Sequence, residues 1–364
     1  MRESHLPYLT DPVTHAHFQI LKFKEVDNHV VSGLLISESN WYPIINGIPR
    51  ILLGELKMNT LQSRHTFFEK YRGQMPDHIR KEWQRAIDVI PDFNAFLAHQ
   101  KKTAESFAYE WKYIYKENNY EKHNFFHFSG PFVTEENIKN KKTVDIGCGS
   151  GRFTKWAALS GTEISFGTDL GESVEVAYQM TYRLPNVCIV QADIYAMPFS
   201  GVFDLAYSIG VLHHLPQPQE GFLYLPKVLK KGGKIVIWVY NRRNNARALY
   251  FYEPIRNILK KLPKPVLFKI SYIPGFAVHL INLFGKLLKE SGFDSLAKNL
   301  PFSYYANFSF NMKLNDAFDV LATPKSNYYY VEEIRDWFAN AHLQNVDAYE
   351  HPEAGITCIG TYEK

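Results

Sequence analysis

Cysteine is scarce in this sequence, and that scarcity excludes several classes of protein. The 364 residues include only three cysteines, Cys148, Cys188 and Cys358, and no two of them form a C-x-x-C pair. Such a chain has neither a disulfide scaffold nor a cysteine zinc site, and it fits a reducing compartment. Net charge is also low, because 41 basic residues oppose 37 acidic ones. A balance of this size does not by itself indicate a nucleic-acid partner.

Long apolar runs are absent as well. No apolar stretch follows the basic Arg2, so we expect no signal peptide. The longest uncharged run, residues 270–285, is interrupted by Pro274 and His279 and is too short for a transmembrane helix. The chain also lacks internal repeats, and 46% of its residues are hydrophobic. These features predict a soluble cytoplasmic protein with a sizeable core, long enough for more than one domain.

The composition divides the chain into four regions. Residues 1–58 contain short alternating strands and turns, and residues 59–135 have the apolar spacing of helices. Residues 136–240, with 326–364, alternate apolar strands with helical segments, which predicts an α/β fold with a parallel sheet covered on both faces. Residues 241–325 contain no comparable strand, so we predict a helical insertion there.

The segment 143–154 carries the clearest functional signal. It runs from a short apolar strand through three glycines, Gly147, Gly149 and Gly151, into a helix. Glycines at this spacing let the backbone turn tightly and let a ligand lie against the main chain. Asp145 stands two residues before the first glycine, where a carboxylate would repel a pyrophosphate but accept from an ammonium group. The pattern therefore predicts a ligand with an amino-acid end.

Two more acids end the strands that follow, which an ordinary glycine turn would not require. Asp169 ends the strand at 163–169, where an acid can bind both hydroxyls of a ribose. Asp193 follows the strand at 187–191, where a carboxylate can accept from an adenine amino group. Open α/β sheets bind ligands at the carboxyl ends of their strands. We therefore expect these acids and the glycine loop to bind one nucleoside-containing ligand.

In order and spacing, five segments resemble the class I S-adenosylmethionine-dependent methyltransferases. They are V-D-I-G-C-G-S-G at 144–151, G-T-D-L at 167–170, Q-A-D-I at 191–194, G-V-L-H-H-L-P at 210–216 and L-K-K-G-G-K at 229–234. They resemble in particular the branch that includes quinone-biosynthesis and sugar or natural-product methyltransferases. The resemblance implies a Rossmann-like, mostly parallel sheet with an antiparallel C-terminal strand. It also implies S-adenosylmethionine as cofactor and methyl transfer as activity.

The same resemblance implies which residues hold the cofactor. The glycine loop would hold its methionine part, Asp169 its ribose and Asp193 its adenine, while Ile209 and Gly210 would lie beside the sulfonium. The full set is Asp145, Gly147, Cys148, Gly149, Gly151, Asp169, Leu170, Asp193, Ile194, Ile209 and Gly210. A Y-E-W stretch at 109–111 also resembles related enzymes. From it Tyr109 and Trp111 either reach the cofactor or pack as an ordinary helix.

Residues 1–58 resemble the small zinc-ribbon domain that is fused to some methyltransferases and is homologous to their separate activator subunit. The matching part is Y-P-I-I-N-G-I-P at 42–49, but the cysteine pairs expected before it are missing. We therefore expect a packing role without zinc. His5, His15 and His17 could form a metal cluster, but scattered surface histidines are the better interpretation. No metal site is predicted.

His213 and His214 follow the fourth strand and are the candidate catalytic residues. Methyl transfer from a sulfonium is an in-line displacement, so the enzyme mainly aligns the groups and excludes water. A hydroxyl acceptor also needs a base, and histidine suits neutral pH. Adjacent residues at a helix start point in different directions, so at most one should face the substrate. Alternatively, the pair only shapes the helix start.

The helical insertion is where we expect the substrate. Between residues 241 and 290 it has ten basic and two acidic residues, interleaved with aromatics. It is either a lid over the active site, which we favour, or a peripheral membrane contact. Five tyrosines in or after it, Tyr304, Tyr305, Tyr328, Tyr329 and Tyr330, line the same cavity or pack in the core. We expect a small-molecule or lipid-linked acceptor; RNA methylation or a non-catalytic scaffold are the alternatives.

Overall fold

The computed structural model describes residues 1–118, 120–245, 253–352 and 355–364. Residues 246–252 of the predicted insertion, including Arg247, lie outside the described residues. Strands in the described part are β1 (Gln19–Val26), β2 (His29–Ile36), β3 (Trp41–Ile45), β4 (Ile48–Ile51), β5 (Lys142–Ile146), β6 (Ile164–Asp169), β7 (Val187–Ala192), β8 (Phe203–Ile209), β9 (Leu229–Tyr240), β10 (Gln344–Glu350) and β11 (Gly355–Tyr362).

Helices fall into three groups along the chain. Those before the central sheet are α1 (Gly54–Ser63), α2 (His65–Tyr71), α3 (Asp77–Ile87), α4 (Ala95–Tyr113), α5 (Glu121–Ser129) and α6 (Glu135–Ile138). Those between its parallel strands are α7 (Arg152–Leu159), α8 (Ser173–Thr181) and α9 (Pro218–Tyr224). Those after β9 are α10 (Glu253–Leu259), α11 (Lys264–Glu290), α12 (Asp294–Lys298), α13 (Phe310–Ala322) and α14 (Val331–Asn340).

A single mixed sheet joins the described strands in the order β1-β2-β3-β4-β7-β6-β5-β8-β9-β11-β10. From β7 to β9 neighbouring strands are parallel, whereas β11 is antiparallel to β9 and to β10. Both faces are covered, since alternate residues of β9 enter different hydrophobic clusters: Ile235 and Ile237 enter one, and Val236 enters the other. The predicted Rossmann-like α/β fold with its antiparallel C-terminal strand is confirmed.

The N-terminal strands continue the central sheet, which the sequence analysis did not anticipate. β4 pairs in parallel with β7, with Arg50 opposite Gln191 and Ile51 opposite Ala192. The N-terminal region therefore covers an edge of the sheet that would otherwise expose unpaired backbone groups. Its side chains Phe18 and Tyr42 belong to the same hydrophobic cluster as the central strands.

Arg50 fixes this junction through its side chain. Its guanidinium is fully buried and donates to Gln191 Oε1 at 2.7 Å. It also forms ion pairs with Glu172 and Glu175 of the α8 region. Arg64, whose side chain is 29% exposed, contacts the same two glutamates from the rim. At this junction a buried arginine and a partly exposed arginine thus pair with the same two glutamates.

These two arginines give a matched test of the junction. Arg50→Ala should lower the free energy of unfolding by about 2–5 kcal/mol, because it removes a fully buried side chain and leaves the buried Gln191 without its donor. Arg64→Ala should cost about 0–1 kcal/mol, since water screens its pairs. Denaturant unfolding of both variants measures the difference. Equal losses would show that the buried guanidinium does not hold the junction.

The insertion after β9 contains one long helix, α11. It has 27 residues, so it extends beyond the uncharged run at 270–285, and it continues through Pro274. By length and composition α11 is the one helix in the described residues that could cross a membrane, and 22% of its most apolar window is buried. Its buried residues, Leu267, Ser271, Gly275 and Asn282, lie on one face, and α11 packs against α13.

Candidate functional site

A cavity of about 940 Å³ opens at the carboxyl ends of β5, β6, β7 and β8. The loops after these strands form one side of it, and helix α4 and the insertion form the other. Most predicted cofactor residues line it: Gly147, Cys148, Gly149, Asp169, Leu170, Asp193, Ile194, Ile209 and Gly210. Both predicted catalytic histidines and Trp111 also line it. The fold therefore brings residues from six sequence segments to one cavity.

The glycine loop has no room for side chains. Gly147 and Gly149 have φ angles of +83° and +53°, which L side chains rarely adopt. A Cβ on Gly147 would lie 2.4 Å from Val211 Cγ2. A Cβ on Gly149 would lie 2.8 Å from the Trp111 indole nitrogen. The loop is thus closely covered by α4 and by the segment after β8.

Asp169, at the end of β6, binds the backbone of the glycine loop that follows β5. Its Oδ2 accepts from the Gly149 N–H at 3.0 Å, and its Oδ1 accepts from the Gly171 N–H at 2.8 Å. Burial raises the pKa of Asp169, and these two backbone N–H groups oppose that shift. Each carboxylate oxygen can accept a second hydrogen bond. Asp169 can therefore hold the loop and still receive hydroxyl groups from a ligand.

Asp193 is hydrogen-bonded to Gln100, a residue that the sequence analysis did not identify. Its Oδ1 accepts from Gln100 Nε2 at 3.0 Å and from the Tyr195 N–H at 3.1 Å. Gln100 belongs to α4 and lines the cavity, and its buried Oε1 has no partner among the described residues. A buried unpaired oxygen beside a carboxylate suits a ligand that donates hydrogen bonds, such as an amino group on adenine.

Two predicted cofactor residues, Asp145 and Gly151, do not line the cavity, so their cofactor role stays a prediction. Asp145 is buried behind the loop, and its Oδ2 accepts from Thr154 Oγ1 at 2.7 Å. Burial raises the pKa of Asp145 to about 7. Gly151 instead packs on α8, where an added Cβ would lie 2.8 Å from the Ala177 Cβ.

Arg152 is a cavity residue that the sequence analysis missed. It follows the third glycine, at the start of α7, and lines the cavity. Its guanidinium lies 4.9 Å from the ring centre of Trp111 and 4.6 Å from that of Phe153. Burial lowers the pKa of Arg152. A cation between aromatic rings is placed to bind a carboxylate, such as the one on a methionine end. Its position directly after the glycines was the available signal.

The two candidate catalytic histidines have different surroundings in the structure. His213 is fully buried, and neither of its ring nitrogens has a hydrogen-bond partner among the described residues. His214 Nδ1 bonds to the Lys325 carbonyl oxygen at 2.9 Å. The ring of His213 lies 4.1 Å from that of Tyr240. Burial lowers the pKa of His213 well below its usual value, so its ring is neutral near pH 7. Both ring nitrogens of His213 are thus unpartnered among the described residues, whereas Nδ1 of His214 is engaged.

The second half of the insertion forms the wall opposite the cofactor loops. Its cavity residues are Lys298, Phe302, Ser303, Tyr304, Tyr305, Phe308, Met312, Asn315, Asp316, Asp319 and Val320. Of the five tyrosines in question, Tyr304 and Tyr305 therefore line the cavity. Tyr328 stacks on Tyr240 and Tyr329 contacts Trp337, so these two pack elsewhere. Tyr109 likewise packs on Phe318 rather than reaching the cavity.

The N-terminal histidines do not form a metal cluster. His5 is buried and accepts from the Arg2 N–H through Nδ1, and its Nε2 lies 3.2 Å from the Pro185 carbonyl oxygen. His15 and His17 are both exposed. Among the described residues, no group of three or more histidine, cysteine or acidic side chains could hold a metal ion.

Comparison with known proteins identifies the class of this site. Residues 144–237 match the family model described as a methyltransferase domain. This stretch contains the glycine loop, both strand-end acids and the histidine pair. The chain therefore contains an S-adenosylmethionine-dependent methyltransferase domain, and the cofactor prediction is confirmed.

Individual relatives match only part of this chain. The tRNA U34 carboxymethyltransferase of Ruthia magnifica is 28% identical over 104 residues, which are 28% of this chain and 33% of that protein. The chloroplastic tocopherol O-methyltransferase of Arabidopsis thaliana is 29% identical over 150 residues, 38% of this chain and 41% of that one. The Synechocystis magnesium protoporphyrin IX methyltransferase structure with bound cofactor has a TM-score of 0.42 at 12% identity, covering 74% and 99% of the two chains.

The bonds made by Asp169 predict its contribution to cofactor binding. Asp169→Asn should weaken the binding of S-adenosylmethionine by about 1–3 kcal/mol, because one oxygen is replaced by a donor. Asp336→Asn, an exposed carboxylate on α14, is the control and should leave affinity unchanged. Isothermal calorimetry measures both. An Asp169 variant with full affinity would remove this carboxylate from the cofactor site.

The raised pKa of Asp145 predicts a pH dependence of stability. A carboxyl whose pKa rises from 3.8 unfolded to about 7 folded favours folding when protonated, so stability falls as pH rises from about 4 to about 7. Asp145→Asn stays neutral throughout. The variant should therefore gain about 2–4 kcal/mol over the unmodified protein between pH 4 and pH 8. Urea unfolding without cofactor at several pH values tests this; parallel pH profiles would contradict it.

Proposed function

We propose that this protein transfers the methyl group of S-adenosylmethionine to a small-molecule or lipid-linked metabolite. The observation that carries the proposal is the shape of the cavity, which continues from the cofactor residues past His213 to an aromatic wall. Its volume of about 940 Å³ is at the upper end of ordinary ligand sites. That volume leaves space for an acceptor beside the cofactor.

The described residues fit the cofactor. Arg152 would hold the carboxylate of its methionine part, and the backbone of Gly147 and Gly149 would lie against that part. Asp169 would accept from the ribose hydroxyls, and Asp193 with Gln100 would bind the adenine. The unpartnered Gln100 Oε1 supports this fit. When bound there, the cofactor supplies an activated methyl group on a sulfonium.

His213 is the candidate base for an acceptor hydroxyl. Its ring is neutral near pH 7 because it is buried, and neither ring nitrogen has a hydrogen-bond partner in the part of the chain that the structure describes. The His213 carbonyl oxygen accepts from the Asn327 N–H at 2.9 Å and from Asn327 Nδ2 at 3.0 Å. These bonds fix the backbone of His213 from the segment that follows the insertion. His214 would hold that same segment through Lys325 rather than act on the substrate.

Residues 1–58 would act as a built-in counterpart of the activator subunit that they resemble. The pairing of β4 with β7 and the buried Arg50 support this role, because together they cover the sheet edge next to the adenine-binding strand end. No metal is needed for it.

The relatives keep RNA as the alternative acceptor. Several relatives are named for tRNA, and two are named for tocopherol and for ubiquinone biosynthesis. The aromatic and acidic wall favours the metabolite. Within it, Asp316 has a pKa raised by burial to about 6, and a further carboxylate, Asp319, also lines it. A wall with these acids would repel a phosphate backbone.

One experiment separates these acceptors. The purified protein and methyl-labelled S-adenosylmethionine are incubated with separate lipid, water-soluble metabolite and RNA fractions of a cell extract. We expect label in the lipid or metabolite fraction. His213→Ala should lower that transfer by about 10²–10⁴-fold at unchanged cofactor affinity, and His214→Ala should do less. Label in RNA alone would overturn the acceptor assignment, and equal activity of both variants would exclude His213 as base.

A further inference from the structure

One face of α11 is both strongly apolar and open to solvent. We call it the outer face of α11, formed by Ile273, Phe276, Leu280, Leu283, Phe284 and Leu287. Each of these side chains is between 46% and 73% exposed. Their spacing of three and four residues places them on one side of the helix. Soluble proteins rarely leave so large a continuous apolar patch without a partner.

The opposite face of α11 is already used. Leu267, Ser271 and Gly275 are buried, and α11 packs against α13. A Cβ on Gly275 would lie 3.4 Å from the Leu314 Cα, so the two helices approach closely. The helix is therefore held along the protein surface. A bilayer-spanning helix would need about 30 Å of apolar length on all sides. The outer face extends for about 21 Å from residue 273 to residue 287.

Exposed lysines lie near both ends of the outer face. Lys261 and Lys269 lie toward its N-terminal end, and Lys286 and Lys289 lie at its C-terminal end. All four are exposed, and none forms an ion pair within the described part of the chain. Residues 253–298 contain eight basic side chains and three acidic ones, which are Glu253, Glu290 and Asp294. Glu253 is paired with Arg256, so few acids remain to oppose the exposed lysines.

We propose that the outer face of α11 docks on the surface of an anionic lipid bilayer. The apolar side chains would enter the boundary between headgroups and acyl chains, and the lysines would contact the anionic headgroups. This goes beyond the proposed methyl transfer and does not depend on it.

The charge distribution also favours a bilayer over a second copy of this chain as the partner of the outer face. Two copies joined through their outer faces would bring lysine-bearing ends together in either orientation, because both ends of the face are basic. Like charges brought together in an interface oppose association. An anionic surface has the complementary charge. A bilayer surface also accommodates a convex helix face without a matching groove.

Vesicle flotation tests this proposal with the full-length chain and no cofactor. The vesicles are phosphatidylcholine alone or phosphatidylcholine with phosphatidylglycerol. We expect binding to the anionic vesicles, weaker binding at high salt, and little binding to the neutral ones. Phe276→Glu with Leu280→Glu should reduce binding at least about tenfold. Lys286→Gln with Lys289→Gln should reduce it by about fivefold per lysine.

Two controls keep the result specific. Ile90→Glu adds a charge at a 90% exposed apolar position outside the insertion and should bind as the unmodified protein does. Calorimetry with S-adenosylhomocysteine should give the same affinity for every variant, which shows that each is folded. Failure of the unmodified protein to bind anionic vesicles, or full binding by both double variants, would overturn the proposal. A dimer that the Phe276/Leu280 variant dissociates, without vesicle binding, would instead assign the face to a second copy.

Discussion

The carboxylate of Asp169 connects the two loops on which the cofactor site depends. It accepts from the Gly149 N–H after β5 and from the Gly171 N–H after β6, so neighbouring strand ends are held at one spacing. This buried carboxylate needs those donors, because burial alone would favour its protonated form. The glycine loop in turn leaves no space for a Cβ beneath Trp111. The glycine-loop part of the site is therefore a close backbone arrangement that one carboxylate holds in place.

Sequence patterns predicted the parts of this site that are local. The strand runs located Asp169 and Asp193, and the glycine spacing located the loop, because each depends on residues within one short segment. Gln100 and Arg152 were missed. Gln100 reaches Asp193 across 93 residues of sequence, and no local pattern marks such a contact. The surroundings of Asp145 were missed for a related reason: its position before the glycines was clear, but only the fold shows that its carboxylate accepts from Thr154.

Long-range contacts also determine two features that the sequence left open, the pairing of the N-terminal strands and the difference between the two histidines. The parallel register between β4 and β7 joins residues separated by about 140 positions, and short strands with turns do not indicate which edge they will cover. The histidine pair needs the same kind of information. Two adjacent histidines differ only once the segment at 325–327 returns after the insertion and binds His214 Nδ1 and the His213 backbone. That segment therefore couples the insertion to the candidate base.

The insertion has two surfaces with different chemistry, and they are physically connected. Residues 298–320 face the cavity, while α11, which packs on α13 and on the segment 303–307, faces outward. Through these contacts α11 packs directly on the segments that contain the cavity residues Tyr305 and Asp316. A water-soluble acceptor gains nothing from an apolar outer face. A lipid-linked acceptor does, because its chain can stay in the bilayer while its polar end enters the cavity beside it. The proposed docking surface therefore favours the lipid-linked class of acceptor over the freely diffusing one.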